Sequence, residues 1–359
     1  MDRLISLHDQ FDQSPWLDNL RRGYLTSGQL ADLVSKGVRG LTSNPTIFQK
    51  AISGSDDYDE QFATLAGDEH PTIDDYWTMV LQDIHGAADI FADLYDSSGG
   101  TDGFVSVEVD PRLAHDEAGT LTAARELHIK VARPNVMIKI PATAEGIEPI
   151  RAMLAEGRNV NITLIFSLER YQKVMDAYID GLETLAELPD ADLSMVASVA
   201  SFFISRVDTE VDRRLDAIGT DDALALRGKA AIAQARLAYQ QFLDTFSGPR
   251  WEALAGRGAR VQRPLWASTS TKNPEYPDTL YVDELIGPNT VNTLPDQTLE
   301  AFADHGTLAR TIDSGVDEAR ATRDALAAVG VDMEDVAATL EREGVASFEK
   351  SFDGLLDAL

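Results

Sequence analysis

The chain has 359 residues, 44% hydrophobic and 25% charged, with a formal net charge of -29 and a pI near 4.4. That length allows one large α/β domain or two ordinary ones, while the acidity argues against nucleic acid or an anionic membrane as a partner. Cysteine is absent, which excludes a disulfide framework, a thiolate nucleophile and cysteine-ligated zinc or iron-sulfur sites. At the amino end, residues 1–10 carry two acids and no long apolar run, so no secretion signal is expected. No apolar stretch reaches transmembrane length, and a cytoplasmic soluble protein is the expectation. Strand-like runs then follow at residues 16–20, 37–43, 104–109, 136–140, 160–166, 195–203, 264–267 and 290–294. Helical patterns interleave with them at 74–95, 111–127, 147–156, 168–188, 206–217 and the Ala-rich 221–246, with a terminal helical segment at 317–359. Eight strands alternating with helices fit a (β/α)8 TIM barrel with additional helices, and no low-complexity linker divides residues 1–359, so a single domain is expected. The Gly99-Gly100 and Gly256-Arg257-Gly258 turns lack the pattern of a dinucleotide-binding loop.

One residue breaks the strand pattern. In Val136-Met137-Ile138-Lys139-Ile140-Pro141, a lysine stands where an aliphatic side chain would be ordinary. An ammonium group held among branched aliphatic side chains is poorly hydrated, which favours the free amine. A free amine attacks a ketone or aldehyde to give a Schiff base, an electron sink that needs no cofactor. The competing reading is a strand-end lysine that snorkels to water. Lys130 is a second candidate nucleophile, but Arg133-Pro134 after it suggests a surface turn. Residues two apart in a strand share a face, so Ser106 and Glu108 oppose the valines of the third strand. Asn161 and Thr163 likewise oppose Val160, Ile162 and Leu164 in the fifth. Polar inner faces near the carboxyl ends of strands are where barrel enzymes carry their sites, although a lone strand-end Ser, Thr or Asn also serves as a helix cap.

These residues resemble the transaldolase family. Gly37-Val38-Arg39-Gly40-Leu41-Thr42-Ser43-Asn44-Pro45-Thr46-Ile47-Phe48 looks like its first signature, and Ile138-Lys139-Ile140-Pro141-Ala142-Thr143-Ala144-Glu145-Gly146-Ile147 like its lysine signature. Further matches run through Trp16-Leu17-Asp18, Val107-Glu108-Val109, Asn161 to Ser167 and Ser201 to Arg206. The segment 266–274 and the Asp-rich carboxyl region are similar to the longer bacterial branch. The resemblance implies a class I aldol transfer of a dihydroxyacetone unit from a ketose phosphate (sedoheptulose 7-phosphate or fructose 6-phosphate) to an aldose phosphate (glyceraldehyde 3-phosphate or erythrose 4-phosphate), within the pentose phosphate pathway. It implies Lys139 as nucleophile, Asp18 as acid/base on the substrate hydroxyl, and Glu108 with Thr163 as the proton shuttle for the imine. Asn44, Asn161 and Ser201 would bind hydroxyls, Phe203 would line the site, and Arg206, Ser268 and Lys272 would hold phosphate. No cofactor and no metal are implied. The partners implied are small sugar phosphates, with no nucleic acid and no membrane, for a monomer or homodimer.

Rival roles exist for several of these residues. Asp18 could cap a helix beginning near Leu20, Asn44 could serve a turn before Pro45, and Glu108 could pair with a barrel arginine. Arg206 could pair with Asp208 or Glu210 at a helix start. Many family members have a second arginine on the seventh strand, where this chain reads Ser268-Thr269-Ser270-Thr271-Lys272; Lys272 would supply that charge or be an ordinary loop lysine. Two other function classes stay open: an aldolase that releases free dihydroxyacetone to water, and a non-catalytic barrel. The first is disfavoured by chain length and by Phe203 at a place where those shorter relatives carry tyrosine.

Overall fold

A computed structural model describes residues 3–66 and 72–356; residues 1–2 of the expected leaderless start and 357–359 of the expected terminal helical segment lie outside the described residues. Eight parallel strands close into a barrel in chain order: β1 Gln13–Leu17, β2 Gly40–Thr42, β3 Phe104–Glu108, β4 Val136–Pro141, β5 Val160–Ile165, β6 Ser198–Phe203, β7 Arg263–Ala267 and β8 Thr290–Leu294. The TIM-barrel expectation is correct, and every expected strand is present, β8 with the expected ends and the other seven with shifted ends. β1 starts three residues early because Gln13 pairs with Thr290 of β8, the first step of a ladder ending at Leu17 and Leu294. β2 is short, since Gly37 takes a φ of +110° that leaves the strand region. Leu193–Met195 forms a 3-10 turn before β6.

Parallel strands need crossover helices, and their starts are marked in the sequence. Asn44 caps the helix Pro45–Ser53 through a bond from the Ile47 amide, with proline in its first turn. A Thr72–Asp75 capping box starts the helix Ile73–Ser97, and Ser167 caps Leu168–Ala186. The expected helix at 221–246 is split into Asp221–Leu224 and Ala230–Thr245, with Gly228 at a φ of +69° between them. The terminal segment likewise divides into Val316–Ala328 and Met333–Leu356 about Gly330. The expected 111–127 helix is a 3-10 turn, Pro111–Leu113, then Glu117–Val131 capped by Asp116. No helix among the described residues is long and apolar enough to cross a membrane.

Alternation sends Val105, Val107, Ile138, Ile140, Val160 and Ile162 outward against the helices, all buried. Inside, Trp16 lies across β2, where a Cβ at Gly40 would come within 2.5 Å of its ring, so only glycine fits there. Ser14, Trp16 and Asp18 share this inner face by their two-residue spacing. The indole therefore sits one step below Asp18, toward the floor of the barrel.

Leu164 departs from the sequence reading. It takes a φ of +59° where the β5–β6 register shifts between Ile162 and Ile165. This bulge keeps Thr163 facing inward but turns Leu164 toward the C-terminal helix Met333–Leu356, within 3.0 Å of the position a Cβ would take on Gly344.

Candidate active site

Strand register assembles the centre of the site. Glu108 pairs with Lys139, and Lys139 with Asn161, so side chains from β3, β4 and β5 stand side by side at the ~4.8 Å strand spacing. Lys139 is 4% exposed. Its Nζ donates to the Ser43 carbonyl at 3.3 Å and lies 3.1 Å from Glu108 Oε2. The expectation that the amine is held among branched aliphatic side chains is thus corrected: Ile138 and Ile140 point outward, and the amine faces a carboxylate. It does not snorkel. Lys130 is exposed on the helix Glu117–Val131, away from the barrel interior.

The contact of Lys139 with Glu108 is an ion pair at 3.1 Å. Glu108 Oε1 and the Thr163 hydroxyl are buried with no hydrogen-bond partner among the described residues. Burial lifts the Glu108 carboxyl above its ordinary range and Asp18 adds to this, whereas Lys139 and Arg206 pull it back. No barrel arginine pairs with it; the ion-pair partner is the lysine. Asp18 follows β1, its amide continuing the ladder to Leu294, and its carboxylate accepts a bond from Thr42 Oγ1 at 2.8 Å. Burial raises this carboxyl too, opposed first by Lys139 and then by the Thr42 bond. The capping role is excluded, since the next helix is Arg22–Thr26 with Arg21 at its cap position.

The turn considered for Asn44 before Pro45 is a helix start. Its Oδ1 caps the helix at Ile47, while the residue lines the cavity. Ser201, Thr163, Phe203 and Ser268 also line the cavity, whereas Asn161 stands behind that wall. Its amide is occupied on both sides, donating to Ser106 Oγ at 3.0 Å and accepting from Ser201 Oγ at 2.7 Å. Asn161 therefore orients Ser201. Ser268, at a φ of +57°, shares a hydroxyl bond with Ser205.

The cavity has a volume of about 510 Å³, with Lys139 and Asp18 in its depth and Arg206, Lys272 and Lys50 among its cations. Arg206 pairs with neither rival. Asp208 is engaged by the Ala231 amide and the Tyr281 hydroxyl, and Glu210 by Arg213 and Arg214. The guanidinium lies 5.1 Å from the Phe203 ring centroid and 6.0 Å from that of Phe348, with no hydrogen bond or ion pair to a described residue. A desolvated guanidinium in such a place is a ready anion receptor. Lys272 also lines the cavity, bonded to Ser270, so it is no remote loop lysine.

Four contributors went unnoticed in the sequence: Thr42, Lys50, Thr293 and Phe348. Thr42 and Lys50 lie in and just beyond the first signature, and the spacing of Thr42 from Gly40 marks it as inward-facing. Thr293 shares a hydroxyl bond with Thr42. Phe348 belongs to a helix whose docking position no local pattern reveals.

The family model described as Transaldolase/Fructose-6-phosphate aldolase matches residues 15–359. A curated relative named transaldolase from Thermobifida fusca (strain YX) is 55% identical over 344 residues, which cover 95% of this chain and 93% of the relative. A transaldolase from Mycolicibacterium smegmatis (strain ATCC 700084 / mc(2)155) is 53% identical over 347 residues, 96% of this chain and 93% of the relative.

Proposed function

The chain belongs to the transaldolase/fructose-6-phosphate aldolase family, and from that premise we propose that Lys139 is the nucleophile of its transaldolase reaction. The activity is that of a transferase: a dihydroxyacetone unit passes from a ketose phosphate to an aldose phosphate through a lysine Schiff base. The single observation that supports the assignment of Lys139 is its buried amine, 3.1 Å from Glu108, at the depth of a cavity that also holds Asp18 and the Arg206 guanidinium.

In this reading the Lys139 amine adds to the ketone carbonyl, and water leaves as the imine forms. Glu108, ion-paired with Lys139, and Thr163, whose hydroxyl has no hydrogen-bond partner among the described residues, carry the protons of that step through a water. Asp18 takes the proton from the hydroxyl next to the scissile carbon-carbon bond, and the bonding electrons pass into the imine. The aldose phosphate departs. The acceptor aldehyde then takes up the carbon nucleophile, Asp18 returns the proton to the new hydroxyl, and hydrolysis frees Lys139. Asn44 and Ser201 hold hydroxyls of the retained three carbons, with Asn161 setting Ser201. Arg206 binds phosphate, with Lys272, Lys50 and Ser268 around it.

We further assign the chain to the cytoplasm, as a single catalytic domain in a monomer or homodimer whose partners are small sugar phosphates. The net charge of -29 supports the absence of nucleic-acid and membrane partners. The test is incubation with fructose 6-phosphate and erythrose 4-phosphate. The expected products are sedoheptulose 7-phosphate and glyceraldehyde 3-phosphate; free dihydroxyacetone with no seven-carbon sugar would assign an aldolase instead.

A further inference from the structure

The C-terminal helix Met333–Leu356 is fastened across the mouth of the barrel at successive points. Asp335 takes Arg214 at 2.7 Å, Glu341 takes Arg170 at 3.4 Å, and Ser351 shares a hydroxyl bond with Thr46 at 2.8 Å. Phe352 meets the Tyr76 ring edge-on at a centroid distance of 5.0 Å and lies under Arg112. Between these anchors, Gly344 brings the helix backbone against Leu164, with Arg206 Nη1 3.6 Å from where a Cβ would stand. Phe348 follows one turn later on the same face, four residues before Phe352. Its ring is 3% exposed, lines the cavity, and is centred 5.8 Å from Lys139 Nζ and 6.0 Å from the Arg206 guanidinium carbon.

We infer that Phe348 is a specificity-determining residue of the transfer reaction, the apolar roof that keeps water from the carbon nucleophile held on Lys139 until an aldehyde arrives. The inference rests on Lys139 being the nucleophile. After carbon-carbon cleavage, the bound three-carbon unit is an enamine with two fates. Its electron pair can form a bond to the acceptor aldehyde, whose oxygen takes a proton. Alternatively, the same carbon takes a proton from water, a second water hydrolyses the imine, and dihydroxyacetone leaves with the amine restored. The second fate needs water above the imine. A phenyl ring offers no donor or acceptor for such a water, and a closed apolar cover suppresses side reactions of this kind. Phe203, which packs on Phe166 at 5.0 Å and also lines the cavity, covers a second side. The Leu164 bulge and Gly344 are the local devices that let the helix come close enough to carry the roof.

The test compares wild type with Phe348→Ala, Phe348→Gln and Phe348→Leu. For each, the release of dihydroxyacetone from fructose 6-phosphate without acceptor is divided by the transfer rate to erythrose 4-phosphate. Phe348→Ala opens the roof, and Phe348→Gln keeps much of its volume but can hold a water; both are expected to raise the ratio by about ten-fold. Phe348→Leu, which restores an apolar cover, brings the ratio back toward the wild-type value. If the alanine variant is insoluble, the glutamine and leucine pair carries the comparison. Unchanged ratios in the glutamine or alanine variant, in protein that still forms a borohydride-trapped adduct on Lys139, would overturn the role of Phe348. Absence of that adduct in wild type would instead overturn the assignment of Lys139.

Discussion

Removal of the Arg206 guanidinium is expected to separate phosphate recognition from chemistry. Arg206 makes no hydrogen bond or ion pair with a described residue, and burial depresses its pKa, with Asp18 and Glu108 only partly offsetting the effect. The desolvation of this charge is therefore already present in the free protein, and its bonds to an incoming phosphate are not exchanged for protein bonds. Charge-assisted hydrogen bonds contribute ~1.5 to 3 kcal/mol, so Arg206→Ala should raise KM for fructose 6-phosphate by roughly ten-fold to a hundred-fold. Unphosphorylated dihydroxyacetone as donor makes none of these bonds, and its KM should change little. The folded protein loses no ion pair, so circular dichroism and the unfolding midpoint serve as controls. Steady-state kinetics with both donors give the comparison. Equal losses for both would assign Arg206 to structure and refute the argument from its unpartnered charge.

Lys272→Ala in the same assay should give a smaller loss of the same kind, because Lys272 is exposed and already bonded to Ser270. Glu108→Gln and Asp18→Asn should slow turnover severely yet leave the fold intact. Burial raises both carboxyls in the folded protein, so each group favours the folded state while protonated, and that contribution is lost as pH rises from the unfolded value through the raised folded value. Urea unfolding should accordingly find each variant gaining on wild type as pH rises above about 4, and a gain that grows instead toward low pH would contradict this sign. Phe203→Tyr adds a hydroxyl to a cavity wall, and should speed acceptor-free release of dihydroxyacetone while transfer to erythrose 4-phosphate falls; unchanged release in folded protein would leave Phe203 as packing alone.

The barrel was legible because its strands are short apolar runs spaced by helical patterns, and because Lys139, Glu108, Asn161 and Thr163 break those runs with inward period-two polarity. Register then did what spacing cannot. Only the pairing of Glu108 with Lys139 and of Lys139 with Asn161 shows that these residues stand together. The limits of β1 are not local, since they depend on β8, a partner 277 residues away at the Gln13–Thr290 pair. The helix breaks at Gly228 and Gly330 carry a glycine signal that Ala-rich surroundings outweighed. The Leu164 bulge and the roof formed by Phe348 are tertiary facts: a helix pattern gives a buried stripe but not the surface that covers it. The same holds for Arg206, whose acidic neighbours in sequence, Asp208 and Glu210, turn to other partners.

The central claim is that the amine of Lys139 forms the imine. Borohydride added in the presence of fructose 6-phosphate should fix one three-carbon adduct by intact mass, peptide mapping should find it on Lys139, and Lys139→Met, close in volume but without a charge, should show none while remaining folded. A label on Lys130, or active protein that yields no adduct with donor and borohydride, would contradict the account.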